Sequence, residues 1–229
     1  MATDNSLVFL KAQQKGPAIS ADGTDIVWRS LRDGSGITVP WVQALVFQGC
    51  VFGTQVGSVS TGINTHAGID ADQPEVVVQI PDGTCALPLF VHVHAEGGTT
   101  AIGMTQVVAS VSDVLVGAGT STAGTVFNMN LLNPASSPSL VYHTYTGNGT
   151  DPLTAGHHIE LGRASAVCVD TDAAAATSLM PTVSASAMDR VMPLIADGGS
   201  IVGHAESQAA AALFYASIMW AEFPESMFI

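Results

Sequence analysis

The residues in this chain best suited to chemistry lie close together: His92 and His94, two positions apart in the run Phe90-Val91-His92-Val93-His94-Ala95-Glu96, with a carboxylate two residues further on. A β-strand sends successive side chains to opposite faces, so Phe90, His92 and His94 share one face while Val91, Val93 and Ala95 share the other. Two imidazoles on one face can meet a single divalent cation. The plainer alternative is a strand that carries histidines on its polar face. A catalytic metal usually has three protein ligands, and a distant histidine such as His143 or His204 would have to supply the third. His157 and His158 are adjacent, so a strand would point them to opposite faces.

The pair must sit on a scaffold, and the scaffold reads as all-β. Apolar segments are short, rich in Val, Ile, Thr and Phe, and bounded by Gly, Pro, Asn or Asp. About a dozen strands are expected: 26–31, 37–48, 51–56, 75–80, 86–95, 101–116, 125–132, 139–146, 157–169, 188–195, 200–205 and 211–223. Turn signals separate them, among them Pro81-Asp82-Gly83-Thr84 and Ala196-Asp197-Gly198-Gly199-Ser200. No window keeps apolar residues at helical spacing for three turns, and 171–180 is the one stretch suited to a short helix. The expected architecture is a single antiparallel β-sandwich over residues 26–229, with little helix, preceded by a flexible N-terminal arm at 1–25. His94-Ala95-Glu96 and His204-Ala205-Glu206 each close a strand and precede another, which suggests two hairpins of similar build.

Composition points to burial by neighbours. Only 11% of the 229 residues are charged and mean hydropathy is +0.38, whereas about a quarter of an average domain is charged. The longest apolar run, Ala209 to Trp220, is too short for a membrane-spanning helix. The start carries no basic-then-apolar order of a secretory signal. A subunit of a larger assembly is therefore expected, made without a signal peptide and with no membrane span.

Net charge is −13, yet four of the six basic residues, Lys11, Lys15, Arg29 and Arg32, fall in the first 32 positions. With Asp4, Asp22 and Asp25 that segment is at +1 and the remainder at −14. An arm of this kind suits contact with an acidic partner, either nucleic acid without sequence specificity or a neighbouring subunit. Cys50, Cys85 and Cys168 each lie in an apolar run and read as buried thiols. Asp70, Asp72 and Glu75 read as a solvated acidic turn. The Gly-rich runs 116–124 and 146–151 read as surface loops, and no nucleophile or phosphate-loop signature occurs.

Two family resemblances follow. The run around His92 resembles the first motif of the cupin family, in which His-x-His is followed by a Glu and, six residues later, by a Gly. Gly103 stands at that distance from Glu96, although Glu96 follows His94 more closely than the motif has it. This resemblance implies a metal-dependent enzyme using His92 and His94. The C-terminal stretch 198–224 (GGSIVGHAESQAAAALFYASIMWAEFP) resembles the ends of jelly-roll virion proteins: an apolar strand, a small-residue turn, a long strand and a closing Trp-x-Glu. That resemblance, together with the strand count, the scarcity of Lys and the N-terminal arm, implies a non-enzymatic capsid subunit without cofactors. Such a subunit assembles with copies of itself and other virion proteins, and its place is the virion. A capsid decoration or tail-associated protein is the nearest alternative, and a sugar-binding sandwich a further one. Trp41, Trp220, Phe223, Met227, Phe228 and Ile229 are the expected apolar residues of the subunit contact, or of the core.

Overall fold

A computed structural model describes residues 40–58, 61–66, 73–96, 102–110, 120–132, 134–146, 158–167, 182–196, 198–207 and 213–228. The basic positions Lys11, Lys15, Arg29 and Arg32, the terminal Ile229, Cys168 and the expected helix at 171–180 lie outside the described residues. Among those described, the elements in chain order are helix α1 (Trp41–Phe47) and strands β1 (Val51–Val56), β2 (Ile63–Asn64), β3 (Val76–Gln79), β4 (Thr84–Glu96), β5 (Ile102–Ser110), β6 (Thr120–Ala123) and β7 (Val126–Asn128). There follow β8 (Leu140–Thr146), β9 (His158–Val167), β10 (Thr182–Ser186), β11 (Ser200–Ser207), β12 (Leu213–Pro224) and a closing 3₁₀ turn at Glu225–Met227.

The strands form two antiparallel sheets. The first runs β10-β4-β12-β1-β7, with β2 also paired to β12; the second runs β6-β8-β3-β11-β5-β9. The pairing is nested along the chain: β1 with β12, β3 with β11, β4 with β10 and β5 with β9. Within the sequence these partners enclose one another like the turns of a folded ribbon. Strands β7, β8 and β6 come from the 120–146 stretch and extend the two sheets beyond β1 and β3.

Alternation decides what lies between the sheets. Val91, Val93 and Ala95 of β4 and Phe214, Ala216, Ile218 and Trp220 of β12 face Val76 and Val78 of β3 with the Ile80 that follows it, Val107 and Ala109 of β5, and Ile201 and Ala205 of β11. These side chains form one apolar core, as the period-2 pattern requires for two sheets packed face to face. Gly203 is needed inside it, because a Cβ there would come within 2.7 Å of Val76 Cγ1. The turn at Pro81–Thr84 forms as expected: the Thr84 N–H donates to the Pro81 carbonyl and Gly83 adopts φ +77°, a conformation that suits glycine.

Four expectations are corrected. The segment 37–48 contains helix α1, whose Val42, Leu45 and Val46 sit on one face and pack over Val51, Leu89, Ala221 and Phe223 on the outer side of the first sheet. Residues 188–195 form no strand, only an isolated bridge from Ile195 to Ala86; the strand of that region is β10, just before them. Strand β6 occupies part of a Gly-rich run expected to be a loop. Finally, β4 and β5 belong to different sheets, as do β11 and β12, so the two similar His-Ala-Glu units end strands before sheet-to-sheet crossings rather than hairpins.

Candidate functional site

The His92 and His94 side chains stand side by side on the outer face of the first sheet. Because β4 alternates Val91, Val93 and Ala95 into the core, both imidazoles face away from it and are half-buried. Their ring centroids are 5.6 Å apart with planes tilted by 56°. Each ring has a neighbour: Phe90 lies parallel to His92 at 6.2 Å, and Tyr215 stacks on His94 at 4.9 Å. Tyr215 arrives there because β12 pairs with β4 in a register that sets Tyr215 opposite His94 and Ser217 opposite His92. Its other side is accommodated by glycines: a Cβ on Gly57 would lie 2.7 Å from Tyr215 Cδ1, and one on Gly62 3.0 Å from two ring carbons. A groove of about 330 Å³ opens along this row, and Gln55, Ser58 and Ser217 contribute to its lining.

A bulge keeps the pair outside. The register of β4 against β12 jumps from Phe90 opposite Met219 to Pro88 opposite Trp220, leaving Leu89 as the extra residue. Such an insertion re-aims the side chains that follow it. Leu89 therefore packs under α1 on the outer face, and Val91, two positions on, turns into the core.

The histidines considered as a third ligand are elsewhere. His204 is fully buried on β11 and His143 lies on β8, both in the second sheet, with the apolar core between them and the His92/His94 face. His143 Nδ1 is 2.8 Å from the Thr144 hydroxyl, and partial burial pulls its pKa below the ordinary imidazole value. Among the described residues no group of three or more His, Cys, Asp and Glu side chains could hold a metal ion. The cupin-type arrangement with His143 or His204 as the third ligand is thus not assembled by these residues.

The second outward region is apolar. Around α1, Trp41 and Phe47 (64% exposed), Leu131 and Leu132 (98%), Met188 and Val191 (96%), and Met227 and Phe228 all present large hydrophobic surface. Local contacts tie them to the same end of the first sheet. Asn130 Nδ2 donates to the Phe47 carbonyl, Phe228 packs edge-on against Phe223, and Ala187 joins the cluster beneath the helix. Trp220 and Phe223, in contrast, are core residues here; Trp220 is fully buried and its Nε1–H donates to Glu222 Oε1 at 2.7 Å.

Sequence reasoning missed the buried carboxylate Glu75. It is 1% exposed rather than part of a solvated turn. Its Oε2 accepts the Ala205 N–H at 2.7 Å, while Oε1 accepts the His66 N–H at 3.2 Å and lies 3.0 Å from His66 Nδ1. Burial drives its pKa up, against the opposing pull of these hydrogen bonds. The signal was its place at the head of the continuous apolar run Val76-Val77-Val78: a strand buried on both faces buries its first residue too. Asp70 and Asp72 lie outside the described residues.

Cys85 is buried and Cys50 half-buried. Burial raises the Cys50 pKa, and the Glu222 carboxylate adds to the rise. Since the thiolate is the nucleophile, iodoacetamide at pH 8 is expected to alkylate Cys50 severalfold more slowly in the folded protein than after unfolding. Glu222→Gln should recover part of the difference; equal rates before and after unfolding would contradict the burial.

Among the described residues no helix is long and apolar enough to cross a membrane. The chain matches no protein-family model and no curated protein.

Proposed function

We propose that this chain is a non-enzymatic virion structural protein, a jelly-roll coat subunit that closes a shell by repeated contacts with its own copies. Two features support the reading. The nested pairing β1·β12, β3·β11, β4·β10 and β5·β9 follows the wrapping of an eight-stranded jelly roll, an architecture used by coat proteins, lectins and cupins alike. Fold alone does not choose among them.

The observation that carries the choice is the apolar rim around α1. Free monomers rarely leave large hydrophobic side chains clustered in the open, and a chain with 11% charged residues has little polar surface to set against them. A subunit contact covers such a rim. The basic N-terminal segment and the acidic body are complementary in charge, which favours an arm laid on a neighbouring copy; packaged nucleic acid is a further acidic surface for it. The place of such a protein is the virion.

The test is particle size. Purified protein should form shells, sheets or large rings by light scattering and electron microscopy. Phe47→Asp with Leu132→Asp should disperse them while leaving the far-ultraviolet circular dichroism of the wild type. Wild-type protein that stays monomeric, or variants that still assemble, would sink the coat reading. A dispersed wild type that binds only preformed shells would instead identify a capsid decoration or tail-associated protein.

A further inference from the structure

We propose that His92 and His94 form a surface binding site for a divalent transition-metal ion such as Zn²⁺. The site uses two protein ligands and leaves two coordination positions open.

The spacing carries the argument. A Zn–N bond of about 2.0–2.1 Å puts an imidazole centroid about 3.2 Å from the ion, so two imidazoles on one ion have centroids about 5.2 Å apart at the tetrahedral angle and about 5.5 Å at 120°. The observed separation is 5.6 Å. The two rings therefore already stand at about the separation that a shared ion requires.

The site is also held in place before any ion arrives. Strand β4 is paired on both sides, to β10 and to β12, over the whole stretch that bears the histidines. Phe90 lies against His92, and Tyr215, fitted over Gly57 and Gly62, stacks on His94. Rings fixed this way lose little rotamer freedom on ligation, which favours binding. The groove beside them gives an ion access from solvent, with room for water or for an oxygen donor such as Gln55 or Ser217 at the open positions.

The charge of the molecule works in the same direction. The sequence outside the first 32 residues carries −14, and a field of that sign raises the local concentration of cations. Two ligands are fewer than the three of a catalytic zinc centre, so the structure assigns a binding site rather than a cupin-type active site. The inference is independent of shell formation.

Titration of metal-stripped protein with Zn²⁺ by calorimetry tests it. One ion per chain is expected to bind. His92→Ala and His94→Ala should each weaken that binding by more than the roughly 10–100-fold that loss of an outer-shell partner brings, because each removes a ligand outright. His158→Ala, on the exposed start of β9, should leave it unchanged. Circular dichroism of the two strand variants should match the wild type, since both side chains face away from the core. No stoichiometric site, or Zn²⁺ binding that survives both His92→Ala and His94→Ala, would overturn the proposal.

Discussion

Trp220→Ala is expected to remove about 3–5 kcal/mol of folding stability, the range for deleting a large buried aromatic side chain. Trp220 heads the fully buried side chains, with 0% exposure, and stands in the middle of β12, paired to Phe52 on β1 and to Pro88 on β4. Removing the indole opens a cavity between rigid sheets that cannot collapse around it. It also takes away the Nε1–H that donates to Glu222 Oε1, leaving that oxygen with the Ser137 hydroxyl at 2.6 Å. Since domains are stable by only about 5–15 kcal/mol, the variant should be close to unfolding at physiological temperature. Trp220→Phe separates the two contributions: it keeps most of the apolar contact and forfeits the hydrogen bond, worth about 1 kcal/mol on top of the smaller volume. Urea denaturation, read in the dispersed Phe47→Asp/Leu132→Asp background so that dissociation does not contribute, gives both numbers. A loss below about 1 kcal/mol for Trp220→Ala would contradict a core role.

The elements with a strong local signal were legible in the sequence. Strands β1, β3, β8, β11 and β12 lie in short segments rich in Val, Ile, Leu and aromatic residues, and the reading places them to within a few residues. Those that were missed carry weak local signals. Helix α1 is only seven residues long, so its apolar face at Val42, Leu45 and Val46 amounts to two turns, and a β-rich composition reads as strand. Strand β10, Thr182–Ser186, sends only Val183 and Ala185 inward and is otherwise polar and small. It is a strand because β4 offers it an unpaired edge, which is a tertiary cause. The same distinction holds at the site. That His92 and His94 share a face follows from the strand period alone. That Tyr215 joins them depends on the register of two strands separated by more than a hundred residues, and no local pattern encodes it. Their separation from His143 and His204 depends on which strands cross to the second sheet, which is equally non-local.

Replacing Glu75 is expected to have the other large effect, one that depends on pH. Its partner His66 has Nδ1 against Glu75 Oε1 and Nε2 at 3.2 Å from the Tyr145 carbonyl. A carbonyl only accepts, so Nε2 carries a hydrogen. The contact between Nδ1 and Oε1 then needs one proton, held either by the imidazole facing a carboxylate or by a protonated Glu75 facing a neutral ring. Glu75→Ala leaves the Ala205 N–H and the His66 ring without this acceptor in a buried setting, and breaking a buried pair of this kind costs about 3–5 kcal/mol. Glu75→Gln keeps the shape and an acceptor oxygen, and should cost far less. The pH dependence has a definite sign. Burial raises the Glu75 pKa above its ordinary value of 4.5, so the folded chain binds more protons than the unfolded chain above that pH. The associated stability is fully present below the unfolded value and is lost as pH rises through the folded one. The stability of the wild type relative to Glu75→Gln should therefore fall with increasing pH from about 4.5 upward, by no more than about 1.4 kcal/mol per pH unit for a single proton. Parallel urea titrations of the two proteins across that range measure the slope directly. A difference that stays flat or grows with pH would mean that the shared proton is not bound at this site. A declining one would make Glu75 and His66 a proton-dependent clasp joining the His66 segment to the strands β3 and β11 of the second sheet.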